Sequence, residues 1–359
     1  MKAAVCYEFG SPLLVKEVEL DPPQMGEVKV EIAACAICHS DIYWIRGEWG
    51  GETPLVAGHE AAGIVTEVGS GVLDVQPGDH VIVSNLRSCG RCSSCRLGRS
   101  YDCHADFALD HESRLRSRDG DTLMQGLRTA AFAESIVVDQ SQVVQVPEDL
   151  PFDRACLLSC GVIAGLGAVV NTAQLELGSS VVVLGTGGVG LNSVQGAVLS
   201  GAAKIIAVDL LDHKLESARH FGATHTINAK HLDAVAAVQA LTDGRGADYA
   251  FATVGSSTAI SQASRMIRRG GTAVVVGMPS NKDAEFTLNA NDLVYGRAVI
   301  GSLMGSSQMS VDIPRLVALY QQRRLKLDEL ITGRYPLERI NEAIESAERG
   351  EALRNVIVF

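Results

Sequence analysis

Val181-Val182-Val183-Leu184-Gly185-Thr186-Gly187-Gly188-Val189-Gly190 carries the reading of the fold. Four apolar residues read as a short buried strand, and the glycines that follow form the pattern G-x-G-x-x-G. A helix is expected from there to about Leu199. In that strand–turn–helix setting each glycine has a task. Gly185 permits the tight turn, Gly187 lets the backbone approach a pyrophosphate, and Gly190 lets helix and strand pack closely. Gly188 and Val189 complete the turn, whose free N–H groups at the helix N-terminus suit a diphosphate. A plain glycine turn is the alternative. It loses ground because the next strand ends in Asp209, where a carboxylate can accept hydrogen bonds from an adenosine ribose. The same charge would repel a 2′-phosphate, so NAD is favoured over NADP. Capping of the following helix is the other use open to Asp209.

Outward from this turn the texture is regular. Ile205-Ile206-Ala207-Val208, Tyr249-Ala250-Phe251 and Ala273-Val274-Val275-Val276 are further short apolar runs. Helical stretches, Asp212 to Phe221 and Ser257 to Arg268, lie between them. Such alternation predicts an α/β fold, a doubly wound parallel sheet covered on both faces. Upstream, the first ~150 residues differ: short runs such as Val28 to Ile32, Gly63 to Val68 and His80 to Val83 are broken by turns, which reads as mainly antiparallel β structure. Downstream come a strand at Val299 to Leu303, helices near Ile313 to Gln322 and Leu337 to Glu348, and a last strand at Asn355 to Phe359. No repeat or low-complexity segment interrupts them.

A length of 359 residues makes two domains the expectation. Lys and Arg number 31 and Asp and Glu 42, a net charge of −11 that argues against a nucleic-acid partner. No apolar run reaches the ~18 residues needed to cross a bilayer, and the first residues lack a signal-peptide core. A cytoplasmic protein without a membrane partner is expected. Nine cysteines, an odd count, are no disulfide framework in such a chain.

Four of the nine, Cys89, Cys92, Cys95 and Cys103, crowd together at turn-compatible spacing. Four thiolates satisfy tetrahedral zinc and leave no open position, so this site is read as structural. Iron–sulfur ligation is the rival, but the fourth cysteine is displaced and no proline or second cluster follows. A second set of ligand types is dispersed: Cys38, His59 with Glu60, and Cys160. Two cysteines and a histidine with one open position suit a catalytic zinc. Sequence distance does not assemble them. Taken singly, Cys160 could be a small buried hydrophobe, His59 a core histidine, and Cys35 with Cys38 a redox pair.

Along essentially its whole length the chain resembles the medium-chain zinc-dependent alcohol dehydrogenases. The resemblance rests on Cys38-His39-Ser40-Asp41, Gly58-His59-Glu60, the cysteine cluster, Leu158-Ser159-Cys160-Gly161, Gly185 to Gly190, Asp209 with Lys214, and Leu353-Arg354-Asn355. It implies that Cys38, His59 and Cys160 bind a catalytic zinc, with Glu60 near enough to ligate transiently and Asp41 orienting the His59 ring. Two zinc ions per chain follow. It further implies that residues of about 1–161 and 297–359 form one GroES-like catalytic domain, with an NAD-binding Rossmann domain of about 162–296 inserted. His39, Lys214, Val276 and Arg354 stand where the family touches the cofactor. Ser40 matches the first hydroxyl of its proton relay. Three positions on, many members carry His; here it is Tyr43, whose phenol, with a pKa near 10, is a poor terminal base.

By position in the resemblance, Trp49, Asn85, Met278 and Leu303 line a roomy, mostly apolar substrate pocket. The expected activity is reversible hydride transfer between a medium-sized primary or aromatic alcohol and NAD. Glutathione- or mycothiol-dependent formaldehyde dehydrogenases resemble the chain too, especially around Cys160 to Gly165. The glutathione branch uses an arginine a few residues beyond the fourth cluster cysteine, and His104-Ala105-Asp106-Phe107-Ala108-Leu109 has none. Arg114, Arg116 and Arg118 read as a solvated loop face. A non-catalytic zinc-stabilised dinucleotide-binding protein is the reading of another class. The intact Cys38, His59, Cys160 and Ser40 set argues against it. A homodimer is expected, with a tetramer as runner-up, because Val299 to Leu303 reads as an apolar sheet edge.

Overall fold

A computed structural model describes residues 1–359. The chain divides into two compact units. Met1–Cys160, Gln308–Arg323 and Leu327–Phe359 form the first, and Gly161–Ser307 with Arg324–Lys326 form the second. No single helix is long and apolar enough to cross a membrane.

In the second unit six strands make one wholly parallel sheet. Their order is His225–Asn228, Lys204–Asp209, Ser180–Leu184, Ala247–Ala252, Ile267–Val275 and Ala298–Gly301. This is the doubly wound order, with the first strand, Ser180–Leu184, at the point where the winding reverses. Val181, Val182 and Val183 are wholly buried, as expected of a strand covered on both faces. The core gathers Val182, Ile206, Ala250 and Ala273 under helices that contribute Val238, Ile260 and Ala263. The helix Ser257–Met266 is shorter than expected, because the backbone turns extended at Ile267 and the strand starts there.

The strand Ala298–Gly301 pairs with Ile267–Val275, so the second unit runs on to Ser307. The expected return to the first unit at 297 therefore comes too early. That expected strand also stops at Gly301. Leu303–Ser306 is a tight turn with left-handed backbone at Met304, Gly305 and Ser306.

The first unit holds two sheets. The larger runs Val143–Gln145, His80–Val83, Glu60–Val68, Glu27–Ala36, Arg354–Val358 and Ile331–Tyr335. One edge of Glu27–Ala36 pairs with Glu60–Val68. The other is shared: residues 27–31 pair with Ser135–Asp139, and residues 34–36 with Arg354–Val358. The smaller sheet runs Leu115–Ser117, Leu14–Leu20, Lys2–Cys6, Leu55–Val56 and Met124–Gln125. Between them lies a core including Ile32, Leu55, Leu115, Leu123, Phe132 and Ile136.

The loop arginines depart from expectation. Arg114 is buried and forks onto Glu27, with Nε and Nη2 donating at 2.9 and 2.7 Å. Glu27 is equally buried, so the pair satisfies itself where water cannot. Arg116 and Arg118 remain partly or largely exposed, on Asp21 and Glu17.

Candidate metal centres and dinucleotide cradle

The helix His39–Ile45 begins directly after an extended Cys38. Asp41 turns back from its first turn and is almost wholly buried. Its Oδ2 accepts from the Cys38 N–H at 3.1 Å. Its Oδ1 accepts from the Gly58 N–H at 2.9 Å and meets His59 Nδ1 at 2.8 Å. One carboxylate thus ties together two chain segments that each bring a candidate ligand. It also leaves His59 Nε2 as the ring atom available for coordination. Gly58 has a φ of +97°, a left-handed turn that an L side chain rarely adopts. Cys160 ends the turn Cys156–Ser159, which Ser84 anchors by donating its Oγ to the Ser159 carbonyl at 2.7 Å.

Coordinating atoms of Cys38, His59, Glu60 and Cys160 lie within 4.8 Å of one another, and all four residues are buried. Cys35 is outside this group; its sulfur turns to the Ala36 carbonyl, which removes the redox-pair alternative. The set fits a divalent cation on two counts. Glu60 Oε1 is buried without a hydrogen-bond partner, and orphaned buried oxygens are rare. The titration points the same way. A hydrogen bond from Cys160 holds the Cys38 thiol well below its usual range. Burial would lower His59, but the charge and hydrogen bond of Asp41, then Cys38, push it up to about 10. The Cys160 thiol is pushed up by the same hydrogen bond and by burial, so the cluster holds protons that a cation would displace.

Glu60 Oε2 pairs with Arg354 Nη2, both side chains buried. Arg354, expected at the cofactor, is therefore engaged by a member of the metal cluster. No sequence signal pairs two residues 294 positions apart.

The second cluster is compact and partly exposed. Sulfurs of Cys89, Cys92, Cys95 and Cys103 all lie within 4.8 Å of one another. Cys92 caps the short helix Ser93–Arg96, its sulfur accepting from the Cys95 N–H at 3.5 Å. The same N–H pulls its thiol down to about 6. Zinc–sulfur bonds of about 2.3 Å at tetrahedral angles put sulfurs about 3.8 Å apart. Cys92 and Cys103 sulfurs are 3.9 Å apart.

In the second unit the glycine turn behaves as its pattern requires. Gly185 has a φ of +87°. A Cβ on Gly190 would overlap the Gly185 carbonyl oxygen, so strand and helix meet there without room for a side chain. A Cβ on Gly187 would meet nothing within 4 Å, which leaves an open cradle at the start of the helix Gly188–Leu199. These two glycines fit a dinucleotide phosphate. Asp209 ends its strand beside the turn, but its carboxylate is heavily engaged within the protein. Thr186, in the variable position of the motif, was not singled out by the sequence pattern; it donates both its N–H and its hydroxyl to Asp209. Lys214 stands half-buried in the first turn of Asp212–Phe221. The Val276 N–H is spent on the Ala252 carbonyl at 2.9 Å.

The relay candidates Ser40 and Tyr43 share the helix His39–Ile45, both half-buried. The Tyr43 ring lies edge-on to His39 at 6.4 Å and to Trp49 at 5.4 Å between centroids. His39 itself is exposed. Of the pocket candidates, Trp49 and Asn85 belong to the first unit and are half-buried. Met278 and Leu303 belong to the second and are exposed by 61% and 55%.

Known proteins match along the whole chain. Residues 24–148 match the alcohol dehydrogenase GroES-like domain and residues 188–322 the zinc-binding dehydrogenase domain. The chain is 38% identical to S-(hydroxymethyl)glutathione dehydrogenase of Paracoccus denitrificans, over 100% of this chain and 99% of that one. A solved alcohol dehydrogenase zinc-binding domain protein from Burkholderia ambifaria superposes with a TM-score of 0.94 at 34% identity, covering 100% and 98%. Benzyl alcohol dehydrogenase from Acinetobacter calcoaceticus gives 0.93 at 32%, covering 100% and 99%.

Proposed function

The chain belongs to the zinc-binding alcohol dehydrogenase family and is a zinc-dependent oxidoreductase of that type, and from this premise we propose that it interconverts a medium-sized primary or aromatic alcohol and its aldehyde with NAD. Family membership removes the alternative of a non-catalytic binding protein. The observation that carries the reading is the buried set Cys38, His59, Glu60 and Cys160, three strong ligands and a carboxylate with one oxygen unspent. It contrasts with the closed four-sulfur cluster, which we assign to a structural zinc.

Cys38, His59 and Cys160 would hold the catalytic ion, and the Gly185–Gly190 turn with Asp209 would hold the dinucleotide. The chemistry these groups supply when bound is Lewis acidity toward a substrate oxygen and acceptance of a hydride. The protein's own share is positioning and proton handling. Asp41 fixes the orientation of the His59 ring and the Cys38 backbone. Ser40 takes the alcohol proton. Tyr43 passes a hydrogen bond onward but is a weak terminal base at neutral pH. Lys214 neutralises part of the cofactor's charge. We further propose a homodimer, joined at the edge strand Ala298–Gly301, where Ile300 is partly exposed.

A second reading is the thiol-adduct formaldehyde dehydrogenase, favoured by the Paracoccus relative and disfavoured by the missing arginine after Cys103. NADH absorbance at 340 nm separates the two. Benzylic and medium-chain primary alcohols are expected to give higher kcat/KM than S-hydroxymethylglutathione. The reverse order would establish the second reading. NADP is expected to be the poorer cofactor, and Asp209→Ala to narrow the NAD preference by about tenfold or more, the loss of a charged hydrogen bond.

A further inference from the structure

The carboxylate assigned to the cofactor ribose has no vacancy. A carboxylate offers about four lone-pair sites. Asp209 Oδ1 accepts from the Leu210 N–H at 2.7 Å and the Leu211 N–H at 3.1 Å. Asp209 Oδ2 accepts from the Thr186 N–H at 2.7 Å and the Thr186 Oγ1 hydroxyl at 2.9 Å. Three of these donors are backbone amides. Two belong to the turn that opens the helix Asp212–Phe221, and one to the glycine turn, so the fold holds them in place. Only the Thr186 hydroxyl can rotate away.

We propose that Thr186 is a specificity-determining competitor, its hydroxyl occupying the seat on Asp209 that an adenosine ribose hydroxyl takes when the cofactor binds. The ribose O–H replaces a chemically identical donor, hydroxyl for hydroxyl. The exchange gains nothing in hydrogen-bond number. It leaves the Thr186 hydroxyl to find another partner at a side chain with no exposure to solvent, and an unsatisfied buried hydroxyl is costly. Thr186 thus holds NAD and NADH affinity below what Asp209 alone would give, and shortens the residence of the spent cofactor. In the free protein the same hydroxyl keeps the carboxylate satisfied and correctly aimed.

This inference rests on the reading that Asp209 receives the ribose, and the test separates the two. The zinc-loaded full chain is titrated calorimetrically with NAD and with the NAD analogue lacking the adenosine 2′-hydroxyl. Wild type, Thr186→Val and Thr186→Ser are compared. Wild type should prefer NAD only weakly, because the exchange is hydroxyl for hydroxyl. Thr186→Val keeps the shape and removes the competing donor, so NAD binding should tighten by about three- to tenfold, the worth of one net hydrogen bond. Its affinity for the 2′-deoxy analogue should stay unchanged, and Thr186→Ser should match wild type. Thermal unfolding without ligand should fall for Thr186→Val and recover more of the difference with NAD than with the analogue. If Thr186→Val does not fold, Thr186→Ala removes the same hydroxyl with less bulk. Weaker NAD binding without the hydroxyl, or equal tightening of both ligands, overturns the competition. No discrimination between the ligands by either protein, wild type or Thr186→Val, overturns the ribose reading itself, and the competition with it.

Discussion

Ser40 and Tyr43 lie one helical turn apart on His39–Ile45, yet their chemistry is unequal. Loss of a proton acceptor in the transition state typically lowers the rate by 10²–10⁴-fold, and Ser40→Ala is expected within roughly that range. Tyr43→Phe is expected to lose less than about tenfold, because a phenol with a pKa near 10 takes few protons at pH 7. Single-turnover hydride transfer across pH is the measurement, since steady-state kcat can report cofactor release. Equal damage from both variants would make the phenol an obligatory relay member. The metal sites separate at the same scale. Cys38→Ser should lose activity and about one zinc while staying folded, because its cluster is a reactive centre on a formed scaffold. Cys92→Ser should lower thermal stability, because its cluster shapes the loop of residues 89–103. Elemental analysis with thermal unfolding reads both, and equal unfolding would contradict the division of roles. Ligand types and spacing made the four-cysteine cluster visible beforehand, whereas Cys38, His59 and Cys160 were joined only by the resemblance. What stayed hidden were residues with no motif of their own. Thr186 fills a position that the glycine pattern leaves free. Arg354 meets Glu60 only through the pairing of distant strands.

Among the elements, the parallel strands were the most legible, since a strand buried on both faces writes itself as an unbroken apolar run. Element ends were less so. Arg268 reads as part of a helix by composition, yet it lies in a strand, with its Nε donating to Asp248 at 2.5 Å. Asp248 also accepts from the Ser180 N–H at 2.7 Å and hydroxyl at 2.6 Å, pinning Ala247–Ala252 beside the start of Ser180–Leu184. Partial burial opposes the charge of Asp248, but the Ser180 hydrogen bonds and Arg268 outweigh it and lower the carboxyl pKa. A carboxylate lowered on folding stabilises above its unfolded value, near 3.9, and loses that contribution as pH falls through the folded value. Asp248→Asn should therefore have a lower Tm than wild type at pH 7, and the gap should close below about pH 4. Tm measured across pH 3–7 checks this, and a gap that stays constant would show that Asp248 acts by shape alone. Arg114 marks the limit of composition in the other direction. A loop rich in charge read as solvated, but Glu27 waits beneath it to bury one of its arginines.

For the molecule as a whole, periodicity predicted two textures along the chain but not which segments rejoin. The discontinuous first unit came only from the resemblance, because no local pattern states that Arg354–Val358 will lie beside Glu27–Ala36. The exposed edge Ala298–Gly301, with Val294 and Tyr295 exposed just before it, is the surface proposed for association. Light scattering at micromolar concentration should give twice the 38.0 kDa chain mass or more. A clean monomer would remove the proposed edge-to-edge dimer. The sharing of one edge of Glu27–Ala36 has a consequence during synthesis. Ribosomes deliver about 5–20 residues per second, so the 294 residues from Glu60 to Arg354 take about 15–60 s. Throughout that interval residues 34–36 present an unpaired edge, and Glu60 has no counter-cation. The inserted unit emerges meanwhile and can fold. The nascent first half is thus the aggregation-prone stage of biogenesis, and chaperone demand should peak before the last strand leaves the ribosome.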